Sequence, residues 1–305
     1  MTEIKQILDY LKDMKISVEY QGDVSLKVDN FSSISDPKEN SITWLRKYNE
    51  QYIENVKNVR NLVIVTTSEA CHYMPNKNVL IVQKPKMVFF EVVKRFFFKR
   101  ENAGISKSSV VKTCHIGKNV TIGDFCTIGK DVIIGDDVVI KNSVSIDCPT
   151  VIGNNCNIAS GVVIGSDGFG YYEDMYGNNS IVPHTGGVVI GNNVDIGANT
   201  CIDRGTIGNT EIGDYVKIDN LCHIAHNVKI GKNVFVIANS MIGGSAVLDD
   251  DVYIAPGACV INQASLGKRA FVGMGAVVTK DVNADEVVAG APAHVIRMRK
   301  ESDRE

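Results

Sequence analysis

The chain has 305 residues, a net charge of −3, eight cysteines and six histidines. A slightly acidic balance supplies no basic field for nucleic acid, and the length suits one large or two modest domains. None of the cysteines forms a CxxC pair, which argues against a structural zinc site.

The N-terminal "MTEIKQILDYLKDM" places apolar residues at helical spacing and lacks the apolar block of a signal peptide. "ISVEY" and "SLKVDNF" predict strands, "NLVIVTT" and "NVLIVQ" buried strands, and "KMVFFEVVKRFFF" a helix following Pro85. That last run is interrupted by charges and is too short to span a bilayer, so a cytoplasmic protein is expected. Residues 1–103 therefore read as a small α/β domain, joined to the rest at "ENAGISKSS". Its "NSITWLRKYNEQY" segment holds the only tryptophan, Trp44, with Tyr48 and Tyr52 nearby. Aromatics in a loop between strand and helix can stack on a flat base, or Trp44 can simply fill the core.

From about residue 110 an isoleucine recurs at every sixth position, from Ile116 through Ile164. The series restarts at Ile190 and again at Ile212, and runs to Val278. Neither a 3.6-residue helix nor a two-residue alternation yields this spacing, whereas a hexapeptide β-helix does. Three hexads close one triangular coil of about 18 residues. Two places before each aliphatic residue stand small or β-branched residues, as an inward corner requires. Cys114, Cys126, Cys156 and Cys222 fall in that column and read as packing residues. Residues 104–282 are thus a β-helix domain, and 283–305 a short C-terminal tail. The repeat is silent about handedness.

Two insertions break the repeat. "GSDGFGYYEDMYGNNSIVPHTGGVV" follows Ile164, and "DRGTIGNTE" adds four residues between Ile202 and Ile212. Solenoids push such insertions outward as loops, often over the binding face.

"KIDNLCHIAHNVKIG" then carries His223 and His226, which the repeat does not need. With Ile224 inward, His226 falls on the outer surface near a corner, where Asp219 of the same coil could orient it as a general base. One coil on stands Gly244 in "MIGGSA", about 4.8 Å away, whose N–H could meet an oxyanion. His223 reads more simply as structural.

These residues also carry a family resemblance. The GFGY element (Gly168, Phe169, Gly170, Tyr171), the IDRG element (Ile202 to Gly205) and the IAHN element (Ile224 to Asn227) are similar to the core of the UDP-3-O-(3-hydroxyacyl)glucosamine N-acyltransferase family. The similarity covers about residues 1–250 and takes in "SITWLRKYNEQY", which sits where that family has its uracil-stacking aromatics. The resemblance implies a mainly β fold, with a left-handed parallel β-helix behind a small α/β domain that binds a uracil or thymine nucleotide. It implies a homotrimer with active sites at subunit interfaces. By carry-over His226 is the base, Asp219 its partner and the Gly244 N–H the oxyanion donor. Trp44 with Tyr48 or Tyr52 would stack on the base, and Phe169, Tyr171, Asn220, His223 and Asn227 would line the substrate. No bound cofactor or metal is implied. The co-substrate would be acyl-CoA or an acyl-carrier protein, and the acceptor a nucleotide-linked amino sugar for lipid A or surface polysaccharide.

Beyond residue 250 the chain departs from that family. "CVINQASLG" places Gln263 or Ala264 where a second histidine is expected, and "AGAPAHVIR" resembles acetyl-CoA-dependent hexapeptide acetyltransferases. Other readings are therefore an O-acetyltransferase, or a non-catalytic or metal-binding β-helix in which His223 and His226 would need a third histidine.

Overall fold

The computed structural model describes residues 1–74, 78–98, 103–300 and 303. Glu101 and Asn102, which open the expected linker, lie outside the described residues, as does most of 301–305. The chain divides into two compact units, Met1–Glu101 and Asn102–Glu305.

In the first unit, strands Glu19–Gln21, Asn78–Ile81, Val63–Thr66, Ser41–Leu45 and Asn30–Phe31 lie side by side in that order. Within that sheet only the Glu19–Gln21 pairing is antiparallel. The run 62–65 is wholly buried because both faces of the sheet are covered. Val63 and Val65 pack under helices Ile4–Asp13 and Pro85–Phe96, while Leu62 and Ile64 join Leu45, Val56 and Met74 on the other side. A period of two thus distributes one apolar run between two cores.

The second unit is a β-solenoid. Short strands, most of two or three residues, stack into three parallel sheets, each pairing with the strand one coil on in its own sheet. The register is 18 residues where the repeat is intact, as in Ile122↔Ile140 and Ile224↔Ile242. It is 38 across the first insertion (Ile164↔Ile202), so 38 − 18 = 20 residues leave the ladder there. It is 22 across the second (Ile196↔Ile218), so 22 − 18 = 4 leave it. The columns Ile122–Ile164 and Ile190–Val278 form one continuous buried core. Corners turn through residues in the left-handed region, among them Asn119, Asn155, Asn227, Ser245 and Gln263. Asn and Asp tolerate that region best among non-glycine residues, which is why they recur in the repeat.

Cys126, Cys156 and Cys222 are buried in the inward column, and burial pushes the thiols of Cys156 and Cys222 up. Cys114, from the same column, is exposed. It belongs to the first strands of its sheet, which lack a preceding coil to cover them. At the other end Glu286–Ala289 extends one sheet in parallel, and His294–Met298 folds back antiparallel on it.

Candidate active site

The two insertions bind each other. Thr185 and Gly186 from the first donate backbone N–H groups to Thr206 and Gly205 of the second, at 2.7 and 3.1 Å. Arg204 returns the contact through Nε to the Gly186 carbonyl at 2.8 Å. Asn227 ties this pair to the coil: its Oδ1 accepts from the Thr206 amide at 2.7 Å and its Nδ2 donates to Thr206 Oγ1 at 3.0 Å. The loops are thereby fixed over the corner that carries His226.

His226 stands between two glycines. A Cβ on Gly168, from the first insertion, would lie 2.5 Å from His226 Nδ1. A Cβ on Gly244, one coil on, would lie 2.8 Å from both Cε1 and Nε2. Only a bare backbone fits against either edge of the ring. The stacking is fixed by the ladder, through Ser245 N–H donating to the His226 carbonyl at 2.8 Å. Nδ1 is buried and without a hydrogen-bond partner, so Nε2 is the nitrogen that the neighbouring cavity reaches. Burial holds the imidazole below its usual range, and the nearby His184 and His223 add to that. The ring is therefore neutral, as a base must be.

The cavity has a volume of about 320 Å³ and is lined by Phe169, Asp203, His223, His226, Met241, Gly244 and Gln263 among others. Among the described residues the Gly244 N–H donates no hydrogen bond. At the equivalent positions of other corners the amide is engaged: Ala198 donates to Asn220 Oδ1 at 2.6 Å, and Lys232 to Asp250 Oδ1 at 2.7 Å. One coil beyond Gly244 stands Asn262, and among the described residues its side chain does not accept from Gly244, which leaves a donor beside an imidazole, an arrangement able to receive developing negative charge.

Not every expected residue gathers here. Asp219 is seven residues before His226, more than one side of the triangle, and falls at the preceding corner. Its oxygens accept from the amides of Asn220 and Ala238, at 2.7 and 3.3 Å. Within one chain it does not meet His226. Asn220 shares that corner, and Asn227 holds the loops rather than lining the cavity. Phe169 projects into the cavity mouth, 85% exposed, with Tyr171 5.0 Å away between ring centroids.

Two residues join that the repeat could not reveal. Asp203, 6% exposed, approaches His223 Nε2 at 3.6 Å, an ion pair when that ring is protonated. Burial pushes its carboxyl up; His223 and His184 pull it down, and Asp167 opposes them. His184 lies edge to face on His226, with centroids 5.4 Å apart. His184 belongs to the first insertion and Asp203 ends the strand Cys201–Asp203 from which the second leaves, so only the "IDRG" and "PHTGG" stretches could have signalled them. Among the described residues no three histidine, cysteine or acidic side chains converge as metal ligands.

In the first unit a separate cavity of about 630 Å³ is lined by Ser33, Trp44, Arg46, Tyr48, Asn49 and Tyr52 among others. Trp44 belongs to strand Ser41–Leu45 and packs against the core, and Tyr52 to helix Glu50–Val56, so only Tyr48 occupies the expected loop. Tyr48 packs at 4.2 Å between ring centroids on Tyr73, which sequence spacing did not single out.

The hexad solenoid, with an imidazole and an open glycine amide at one corner, is similar to the repeats of known bacterial transferases. The family model "Bacterial transferase hexapeptide (six repeats)" matches residues 113–148 and 209–244. "Hexapeptide repeat of succinyl-transferase" matches 131–166 and 177–204. Over part of its length the chain is similar to UDP-3-O-acylglucosamine N-acyltransferases. It is 57% identical over 82 residues to UDP-3-O-acylglucosamine N-acyltransferase 2 of Legionella pneumophila (strain Paris), covering 27% of this chain and 24% of that one. It is 40% identical over 131 residues to the enzyme of that family from Methylobacterium nodulans, covering 43% and 37%. The matched stretches thus span about a quarter to two-fifths of these relatives' own length. Among solved structures, a UDP-N-acetylglucosamine acyltransferase from Francisella novicida superposes with a TM-score of 0.59 at 29% identity, over 66% of this chain and 71% of that one. No helix among the described residues is long and apolar enough to cross a membrane.

Proposed function

We propose that the protein is an N-acyltransferase that moves an acyl group from a thioester to the amino group of a nucleotide-linked amino sugar, in lipid A or surface-polysaccharide synthesis. The observation that carries this reading is the neutral His226 imidazole, one nitrogen open to a cavity, stacked on a glycine amide that no other group has taken. The relatives' names support the acceptor class, and the aromatic cavity around Trp44 and Tyr48 suits a nucleotide base.

The sugar nitrogen attacks the thioester carbonyl carbon while His226 Nε2 takes a proton from it. The carbonyl oxygen becomes an oxyanion that accepts a hydrogen bond from the Gly244 N–H. Collapse of the tetrahedral intermediate breaks the carbon–sulfur bond, and the imidazolium returns its proton to the departing sulfur. The products are an amide and a free thiol. Acyl-CoA and an acyl-carrier protein both present the required thioester. Asp219 takes part only across a subunit boundary, since its own chain holds it at another corner; a homotrimer meets that requirement.

The test is incubation with UDP- and dTDP-linked amino sugars and a series of acyl-CoA and acyl-carrier-protein donors, with products read by mass spectrometry. An amide product from one such pair is expected. His226→Ala should lower kcat by at least ~100-fold with nucleotide affinity nearly unchanged; wild-type turnover would remove His226 from the scheme. The hydroxyl counterpart of the accepted sugar, assayed in parallel, separates amide from ester formation.

A further inference from the structure

His184 lies in the first insertion, outside the hexad frame, and its ring is only 7% exposed. Its Nδ1 is 2.8 Å from the Val182 carbonyl oxygen. A carbonyl oxygen can only accept, so Nδ1 carries the proton and Nε2 of the neutral ring keeps a bare lone pair. That Nε2 is buried and has no partner.

His226 presents the opposite need. If its Nε2 is to receive a proton, the ring's own proton must stand on Nδ1, and Nδ1 is also buried and without a partner. The two rings meet edge to face, with planes at 77° and centroids 5.4 Å apart. On that tautomer a buried acceptor lacking a donor and a buried donor lacking an acceptor lie on neighbouring rings. Unmet polar groups inside a protein are uncommon, and two of opposite kind on touching rings are a matched pair.

No other group nearby fills the role. Gly168 covers the Nδ1 side of His226 with backbone alone. The Asp203 carboxylate faces His223, with Asp167 and Arg204 behind it. Asp219 is occupied by two backbone amides at another corner. Among the described residues, the titratable groups around His226 are His184, His223 and Asp203, and of these His184 alone offers a free buried acceptor.

We propose that His184 is the positioning residue for His226: its Nε2 accepts the His226 Nδ1 proton, fixing the tautomer and turning the Nε2 lone pair to the cavity. The inference rests on the reading of His226 as the general base. In the free chain the bond is open, as hydrogen bonds in unliganded sites often are. It closes as positive charge builds on His226, when Nδ1–H becomes a stronger donor and its burial becomes more costly. The Nδ1 proton is never transferred; only the Nε2 proton moves between substrate nitrogen and leaving sulfur.

The experiment uses full-length protein with ¹⁵N-labelled histidine. Long-range ¹H–¹⁵N spectra report which nitrogen of His226 is protonated, and steady-state kinetics are run on the same samples. In His184→Leu, which fills the space without an acceptor, His226 should move toward the Nε2–H tautomer. kcat should fall by ~10–100-fold with KM for the nucleotide sugar unchanged. His184→Gln, whose amide oxygen can accept, should recover most of the rate and the Nδ1–H form. A His226 tautomer and kcat indifferent to His184→Leu would overturn the proposal. If the leucine variant fails to fold, a His184→Gln protein with His226 in the Nε2–H form would do the same. The tautomer spectrum needs no substrate, so it decides the proposal even if His226→Ala proved active and the assigned reaction were wrong.

Discussion

At the scale of single residues, His226 depends on what its neighbours lack. Gly168→Ala would drive a methyl group into Nδ1, and since the neighbour is an imidazole packed on its other edge by Gly244, the ring must turn. The expected outcome is a loss of kcat approaching that of His226→Ala, with the melting temperature little changed because Gly168 lies in a loop rather than in the ladder. Equal turnover in Gly168→Ala would show that ring orientation is not limiting. The depressed His226 pKa has a signed consequence. The base works only when unprotonated, so a lowered pKa moves the acidic limb of kcat/KM below the ordinary imidazole value of about 6.5. A limb at or above that value in a pH–rate profile would contradict the neutral, buried ring. His226 and Gly244 were legible in sequence because both lie inside the period, where addition of 18 finds the neighbour. Membership of the same coil misleads for Asp219, since seven residues place it at a different corner, whereas the carboxylate that reaches a site histidine, Asp203, ends the strand from which the second insertion leaves.

At the scale of elements, the two insertions act as one structure. Asn227 joins them to the coil through a left-handed turn and hydrogen bonds to Thr206 and Ser245. Asn227→Ala removes these and strands the Thr206 amide, and should cost about 1–3 kcal/mol in urea unfolding. It should also lower kcat, since the loops carry Gly168 and His184. A variant as stable as the parent would mean that the loops are held elsewhere. The aromatic elements of the first unit were only half legible. Closeness along the chain singled out Trp44, Tyr48 and Tyr52 but as loop residues, whereas Trp44 lies in a strand and Tyr52 in a helix; Tyr73 reaches Tyr48 through the sheet fold, a contact between distant parts of the chain that no local pattern encodes.

At the scale of the whole molecule, the solenoid core is a column of aliphatic residues in which each coil rests on the next. Ile146 is fully buried there and away from the cavity. Ile146→Ala should therefore cost about 2–5 kcal/mol while leaving kcat intact at temperatures where the protein stays folded. A coupled loss of rate would imply that strain travels along the coils to His226. The period of six made this architecture legible almost entirely, because inward packing repeats with the backbone itself. Cys114 marks where the rule ends: a residue in the inward column is buried only if a coil lies beyond it. For the subunit arrangement, light scattering on the purified chain should return three times the chain mass; a monomer retaining full activity would exclude a role for Asp219 across a boundary.

The register offsets have a consequence for how such a protein can change. Twenty residues leave the ladder after Ile164 and four after Ile202, yet every strand beyond them resumes its place as though nothing intervened. The scaffold is thus blind to the length of what protrudes from it. Drift in the protruding hairpin between Tyr171 and Ile181 can reshape the mouth of the cavity without asking the stacked coils to fold differently. Selectivity and foldability are written in separate parts of the same chain, so one can be altered while the other is kept.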